Sequence, residues 1–200
     1  IESTTVGVYR TAATVKGGRR FSFSSLVVTG DRDGRVGIGY GKANQVPPAI
    51  EKAQKVAKRS LRDFPLSGRT IPHEVEGRFG ACKVRLLPAS PGTGVIAGAA
   101  VRAMLEMLGV QDCLTKSFGS NNPKNLIKAV MNGLEQLRSK ELIESLRGMS
   151  VGETQVEEMI ARGEAFLQTP KETVAPTDEA STTTEDAVAT DDTGNTTTTG

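Results

Sequence analysis

The residues of this sequence that can do chemistry are mostly lysines and arginines, and their spacing is typical of phosphate binding. Residues 14–44, TVKGGRRFSFSSLVVTGDRDGRVGIGYGKAN, carry six of these cations: Lys16, Arg19, Arg20, Arg32, Arg35 and Lys42. Cations on one small folded unit attract the phosphate backbone of a nucleic acid. The pattern therefore favours a polyanion as the ligand of this stretch.

Catalytic patterns are missing from the sequence. His73 is the only histidine, and with no second histidine or cysteine beside it we expect a surface or turn position. Cys82 and Cys113 form no CxxC pair, which disfavours a metal or disulfide scaffold. Gly41-Lys42 is followed by Ala43 rather than Ser or Thr, so it does not make a Walker loop. The sequence predicts no enzyme, no cofactor and no metal.

One loop keeps an enzymatic alternative open. In PGTGVIAG, Gly92-x-Gly94-x-x-Ala97 nominally fits a dinucleotide fingerprint, with Asp112 about twenty residues further on. Pro88 to Pro91 separate the first glycine from the preceding strand, so the match is weak. The rival hypothesis is a nucleotide-dependent, small-molecule kinase-like enzyme that uses this loop.

The net charge of +2 conceals a strong asymmetry along the chain. Residues 1–70 contain 13 lysines and arginines against 5 acidic residues, and residues 71–148 contain 10 against 7. Residues 149–200 contain only 2 against 11. The first third of the chain therefore has the charge of a polyanion-binding surface, and the C-terminal part does not.

The residue pattern predicts an N-terminal βββα domain over residues 1–66. Strands are expected at 3–15, 20–29 and 35–41, the last two joined by a tight turn at Asp31-Arg32-Asp33-Gly34. In Val36-Gly37-Ile38-Gly39-Tyr40-Gly41 every second residue lacks a side chain, so one face of that strand is bare. Either a phosphate backbone approaches this face closely, or a helix packs tightly on it.

The helix of this domain is amphipathic and ends, in this prediction, at Pro65. Ala49, Ile50, Ala53, Ala57 and Leu61 share one face. A second stripe at the same period is cationic and consists of Lys52, Lys55, Arg59 and Arg62. Such a stripe suits RNA, although it is also found on solvated helices and on helices that meet membranes or acidic partners.

The fold class predicted for the whole chain is α+β. Residues 67–148 read as a second α+β domain, with a strand hairpin turning at 77–80, a helix over 95–108, a strand over 113–118 and a helix that begins at Pro123. A helical extension follows at 149–167. Residues 168–200, rich in Thr, Asp and Glu, are predicted to be a disordered acidic tail.

Several further features of the sequence indicate the cellular compartment of the protein. The sequence has no apolar run long enough to span a membrane and no signal peptide, and its two cysteines suit a reducing compartment. We expect a cytoplasmic protein without a membrane partner. Because the chain starts at Ile1, we expect some N-terminal residues to precede it. Tryptophan is absent and aromatic residues are few, which disfavours a stacking surface for single-stranded bases.

Two long motifs carry a resemblance to a known family. Residues 15–53 (VKGGRRFSFSSLVVTGDRDGRVGIGYGKANQVPPAIEKA) and the run from PASPGTGV to NLIKAV closely resemble bacterial small-subunit ribosomal protein five, over about residues 5–160. The resemblance implies an N-terminal domain similar to double-stranded RNA-binding domains. It also implies a second domain of a type shared with small-molecule kinases, which explains the nucleotide-like loop without its chemistry.

The resemblance also implies partners and site residues. The expected partners are small-subunit rRNA, mRNA near the channel by which it enters, and small-subunit proteins four and eight, with no small-molecule substrate. The implied roles are support of subunit assembly and of decoding accuracy. Gly94 and Arg102 are expected near protein four, and Arg10 near incoming mRNA. With the cations above, the predicted RNA-binding set is Arg10, Lys16, Gly17, Gly18, Arg19, Arg20, Phe21, Arg32, Arg35, Lys42, Asn44, Lys52, Lys55 and Arg59.

Overall fold

The computed structural model describes residues 1–168, with side chains to residue 166, as two four-stranded sheets and five helices. The elements in chain order are β1 (Glu2–Val15), β2 (Gly18–Gly30), β3 (Arg35–Ala43), α1 (Val46–Arg59), β4 (Arg62–Asp63), β5 (Val75–Phe79), β6 (Cys82–Pro88), β7 (Val95–Ile96), α2 (Ala99–Leu108), β8 (Cys113–Gly119), α3 (Pro123–Leu134), α4 (Lys140–Arg147) and α5 (Gln155–Gln168). The predicted α+β class is confirmed. Apart from Gln168, the predicted tail lies outside the described residues.

The first sheet has the order β1-β2-β3-β4, with each neighbouring pair antiparallel. Its register sets Ser25, Val27 and Thr29 of β2 opposite Gly41, Gly39 and Gly37 of β3. Because side chains alternate along strands, these six residues share the face on which α1 lies. The predicted βββα order is present, and the two-residue strand β4 adds an element that the sequence pattern did not reveal.

The bare face of β3 is filled by α1, which decides between the two interpretations of its glycines. A Cβ built on Gly39 would lie 1.9 Å from the carbonyl oxygen of Ala53, and one on Gly37 would lie 2.4 Å from that of Ala57. The same holds for Gly41, at 2.2 Å from the oxygen of Ala49. The close approach is therefore made by the helix, and a phosphate at this face is excluded.

The helix α1 is shorter than the sequence pattern predicts. It ends at Arg59, with Ser60 as its C-cap, rather than at Pro65. The Ser60 hydroxyl donates to the carbonyl oxygen of Ile38 at 2.7 Å and accepts from the Ile38 N–H at 3.1 Å. This side chain takes over the hydrogen bonds of β3 where β4 stops pairing, so the chain leaves the helix early. Arg62 consequently lies on β4 and not on the helix stripe.

The second sheet has the order β5-β6-β8-β7, antiparallel except for the parallel pair β7 and β8. Its hairpin turns at Gly80 and Ala81, and not over residues 77–80, since Phe79 already pairs with Cys82. The first helix of this half begins at Ala99 rather than at residue 95. The second helix begins at Pro123 as predicted, with the Asn122 side chain accepting from the Lys124 N–H at 3.2 Å.

The turn between β2 and β3 joins the first sheet to α2. The N–H groups of Arg32 and Gly34 donate to the last carbonyl oxygens of α2, on Met107 at 3.1 Å and Leu108 at 2.9 Å. Helix C-termini leave such carbonyls without partners in the helix, so the turn acts as their cap. One core of buried apolar residues runs from Val28 and Val36 of the first sheet to Met104 of α2 and Ile127 of α3. The residue boundaries between domains stay a prediction.

Replacing Gly39 with alanine tests the contact between sheet and helix. The new Cβ would overlap backbone atoms of α1, which cannot rotate away, so we expect a loss of about 3 kcal/mol in the free energy of unfolding. Urea unfolding measures it. Gly17→Ala is the matched control, because nothing lies within 4 Å of its Cβ position. Equal midpoints for the two variants would contradict this packing.

The buried thiol of Cys113 gives the fold a pH dependence. Desolvation raises the pKa of Cys113 from its usual value of 9.0 to about 12, although a backbone hydrogen bond with Leu87 opposes the shift. The unfolded chain loses this proton first, so stability is complete below about pH 9 and falls above it. At pH 10 we expect a loss of about 1.4 kcal/mol. Urea unfolding at pH 8 and pH 10 should show it in the wild type and in Cys82→Ala, and a Cys113→Ala variant with the same loss would contradict the assignment.

Candidate nucleic-acid interface

The strands β1 and β2 continue beyond the sheet as a two-stranded ribbon. β3 pairs with β2 only from Phe23 onward, so residues 11–22 pair with each other alone. Every residue from Ala12 to Phe21 is exposed. Lys16 and Gly17 form the turn, and Gly18 follows with a φ of 144°, a conformation that favours glycine. Lys16, Arg19 and Arg20 are therefore displayed away from the body of the protein.

A cation–π contact lies at the base of this ribbon. The guanidinium carbon of Arg10 is 3.7 Å from the centroid of the Phe21 ring. Ala12 pairs with Phe21 and Arg10 with Phe23, which puts Arg10 and Phe21 diagonally opposite on one face. An isolated two-stranded hairpin is marginally stable in water, so this contact helps to hold the ribbon in place.

The outer face of α1 carries the second group of cations. Lys52, Lys55 and Arg59 are all exposed, while Ala49, Ala53 and Ala57 are fully buried on the opposite side of the helix. Lys58, exposed in the last turn, belongs to the same surface and was not among the predicted residues. Its solvent-facing position follows from the helical period, but Lys58 lies outside the predicted stripe of Lys52, Lys55, Arg59 and Arg62.

Acidic residues do not neutralise the cations of these two groups. Within residues 1–166, no ion pair involves Lys16, Arg19, Arg20, Lys52, Lys55 or Arg59. Exposed cations without carboxylate partners keep their full attraction for a polyanion. We call the ribbon cations Lys16, Arg19 and Arg20 the ribbon group, and Lys52, Lys55 and Arg59 the helix group.

Two of the predicted residues, Arg32 and Arg35, lie elsewhere. They flank the turn at the far end of β2, about 40 Å along the strand from Gly18 at roughly 3.3 Å per residue. Arg32 is paired with Glu2 at 2.7 Å and Arg35 with Asp63 at 2.5 Å. The structure therefore does not bring them together with the ribbon group. Their predicted contact with RNA stays a prediction.

Lys42 and Asn44 are exposed at the end of β3, beside the base of the ribbon. The neighbouring residue Ala43 pairs with Phe23, where the ribbon leaves the sheet. These two residues and Arg10 are thus close in the fold to the strands that carry the ribbon group. The side chain of Lys42 also contributes positive potential at Tyr40.

The two residues expected at a protein interface lie near a surface cleft of the second half. Arg102 is exposed on α2 and lines a cleft of about 560 Å³ together with Arg32, Val95 and Glu106. Gly94, next to Val95, has a φ of 75°. The structure therefore brings Arg32 nearer to Arg102 than to the ribbon, a grouping that sequence spacing did not reveal.

The geometry of the PGTG loop disfavours a nucleotide site. The N–H of Gly94 donates to the buried carboxylate of Asp112 at 2.8 Å, and so is not free for a phosphate. Residues 95 and 96 form β7, which separates the glycines from the N-terminus of α2. Dinucleotide sites need that terminus directly after the glycine turn. Asp112 holds the loop in place instead of binding a ribose.

Other candidate centres are also accounted for within the described residues. His73 Nε2 accepts from the Arg138 N–H at 3.0 Å, and its Nδ1 lies 2.9 Å from the Glu74 carbonyl oxygen. Among the side chains of residues 1–166, no group of three or more His, Cys, Asp or Glu is placed to hold a metal ion. In the same part of the chain, no helix is long and apolar enough to cross a membrane.

Comparison with known proteins decides the family. A family model described as "Ribosomal protein S5, N-terminal domain" matches residues 1–65, and "Ribosomal protein S5, C-terminal domain" matches residues 77–147. Together they match more than half of the chain. The chain belongs to the ribosomal protein S5 family.

Curated relatives agree with these matches. The protein named small ribosomal subunit protein uS5 in Rhodopirellula baltica is 55% identical over 145 residues, which is 72% of this chain and 82% of that protein. That of Syntrophobacter fumaroxidans is 57% identical over 148 residues, 74% and 89% of the two chains. That of Thermus thermophilus is 56% identical over 140 residues, 70% and 86%.

Membership of the S5 family gives the general function of the chain. The family consists of structural components of the small ribosomal subunit that take part in translation and bind rRNA, and not of enzymes. Its place is the ribosome in the cytoplasm. The resemblance drawn from the two long motifs is thereby confirmed.

The contact between Arg10 and Phe21 predicts a local effect on the ribbon. Replacing Phe21 with alanine should make the amides of residues 11–22 exchange about two- to five-fold faster, since an exposed cation–π contact contributes about 0.5 to 1 kcal/mol. The amides of residues 23–30 should not change. Hydrogen exchange followed by NMR measures both segments. The control is Phe118→Ala, at a similarly exposed ring on β8, and ribbon rates that match this control would contradict the role of the contact.

Proposed function

We propose that this chain holds folded small-subunit rRNA with its ribbon and helix groups, near the channel by which mRNA enters the subunit. The observation that carries the proposal is that the three ribbon cations and the three helix cations are exposed and have no carboxylate partner among residues 1–166. The helix group lies on α1, whose backbone contacts that of β3, and the ribbon group lies where β1 and β2 extend beyond the same sheet. The helix group is thus fixed on the sheet from which the ribbon group projects.

This arrangement suits folded RNA for a physical reason. Double-helical RNA is recognised mostly through its shape, its phosphates and its 2′-hydroxyls, because side chains cannot read its narrow major groove. Such recognition needs cations at fixed positions on regular elements. The ribbon supplies them on a projecting arm, and α1 supplies them along about two turns of a helix.

The contacts with other molecules form the second part of the proposal. Arg10 at the base of the ribbon is proposed to lie near incoming mRNA, and Gly94 and Arg102 near small-subunit protein four. Protein eight is proposed as a further neighbour. Through these contacts the protein supports subunit assembly and decoding accuracy. The exposure of Arg102 on α2 and the firm hold of Asp112 on Gly94 support a binding role for a rigid surface.

The salt dependence of rRNA binding tests the proposal. Each contact with a phosphate adds about 0.7 to 0.9 to the slope of log affinity against log salt. Neutralising the ribbon group as Lys16→Gln, Arg19→Gln and Arg20→Gln should therefore reduce the slope by about 2 to 2.7. Neutralising the helix group should reduce it by a similar amount. Filter binding of the full chain to a small-subunit rRNA transcript measures the slope.

The matched control removes three cations that are already paired. Arg78, Lys83 and Arg85 on β5 and β6 form ion pairs with Glu74 and Glu76. Their change to glutamine alters the net charge equally and should leave the slope nearly unchanged. Equal slopes for all three triple variants would contradict the proposal. A chain that binds RNA but fails to co-sediment with small subunits after a moderate-salt wash would instead be a free double-stranded RNA binder.

A further inference from the structure

A second surface with the chemistry of an RNA contact lies where the first sheet meets α3. A cleft of about 610 Å³ opens there, with Leu26 and Ile38 of the sheet and Met131 of α3 among the residues that line it. Two aromatic rings stand at its rim and are partly exposed, Tyr40 at 41% and Phe79 at 40%. They are 39 positions apart in the sequence, so no local motif predicts that they line the same cleft.

Each ring of this cleft is paired with a lysine of α3. The ammonium of Lys124 lies 3.8 Å from the centroid of the Tyr40 ring, and that of Lys128 lies 4.7 Å from the centroid of the Phe79 ring. The two lysines are four residues apart, hence on one face of the helix and about 6 Å apart along its axis. Both lysines line the same cleft.

The cleft is also electrostatically positive. Within residues 1–166, neither Lys124 nor Lys128 has an ion pair, and the cleft's Glu135 is already engaged by Arg62. Hydrogen bonds from Lys124 and then Ser24 lower the pKa of Tyr40, and the charges of Lys124 and Lys42 act in the same direction despite some desolvation. A negative charge near the Tyr40 hydroxyl is therefore stabilised.

We infer that this cleft is a second RNA contact that takes a strand with exposed bases, which stack on Tyr40 and Phe79 while their phosphates meet Lys124 and Lys128. Alternating rings and cations are the composition of surfaces that bind single-stranded nucleic acid. Lys42, two residues from Tyr40 and therefore on the same face of β3, extends the positive path towards the ribbon. The bound RNA strand then extends from the second half of the protein to the first.

An acidic peptide is the alternative occupant, and the geometry favours RNA over it. An ammonium group lies over one face of each ring, and a nucleotide offers both a flat base, which can stack on the other face, and a phosphate. A carboxylate side chain offers only the charge. The contribution of the rings therefore separates the two occupants, whereas the contribution of the lysines does not.

The test uses the full chain with a small-subunit rRNA transcript and, as a second probe, polyglutamate. The double change Lys124→Gln and Lys128→Gln should lower the salt slope for RNA by about 1.4 to 1.8, as two lost phosphate contacts require. Tyr40→Leu should weaken RNA binding about five-fold or more, and Tyr40→Phe should bind as the wild type does. The matched control is Lys116→Gln with Arg147→Gln, two exposed cations outside the cleft.

To distinguish the effect of the cleft from that of the ribbon, each variant is measured both in the wild-type chain and in the chain whose ribbon group is neutralised. In the background without the ribbon group, the double change should still lower the slope by the same amount, whether or not the ribbon itself binds RNA. A slope equal to that of the Lys116 and Arg147 control would overturn the inference. So would a loss of affinity that is equal for RNA and polyglutamate and independent of Tyr40, since it would assign the cleft to an acidic protein segment.

Discussion

The contact between three glycines of β3 and three alanines of α1 is the constraint on which the cationic surface depends. At Gly37, Gly39 and Gly41 the helix backbone comes so close that even a methyl group does not fit. Ala57, Ala53 and Ala49 face them with the smallest side chains that still favour a helix. Little apolar surface is therefore buried on this face, but the position of α1 on β3 is closely defined. The helix group has a fixed position on the sheet because the backbones of α1 and β3 touch.

Ion pairing divides the remaining cations by role. Arg32 and Arg35 are paired with acidic residues beside a turn whose N–H groups cap α2, so that end of the first sheet is a structural junction. On the outer face of the second sheet, Glu76 is paired with Arg78 and Lys83, and these contacts hold the pKa of Glu76 below its usual range. Exposed pairs of this kind contribute little to stability, but they cancel the local field. Positive charge therefore persists chiefly where acidic partners are lacking.

Local chemistry in the sequence was enough for most of the fold, and tertiary contacts account for what it missed. The Asp-Gly turn, the alternation along β3 and the Asn122-Pro123 helix start are local signals, and all three appear where expected. The early end of α1 depends on Ser60 reaching Ile38, and the late start of α2 depends on β7 pairing with β8. These partners are distant in sequence or carry no pattern of their own. The cations of the candidate site were predictable as residues, but which of them are neutralised was not.

The proposed function depends on uncompensated cations that meet the phosphates of folded RNA. The most direct measurement is a side-chain-resolution structure of the small ribosomal subunit that contains this chain. We expect rRNA phosphates or 2′-hydroxyls within hydrogen-bond distance of the side-chain nitrogens of Lys16, Arg19, Arg20, Lys52, Lys55 and Arg59. We also expect the ion pairs of Arg78 and Arg85 to be intact. A map in which these six side chains face solvent, with rRNA seated on the paired arginines instead, would contradict it.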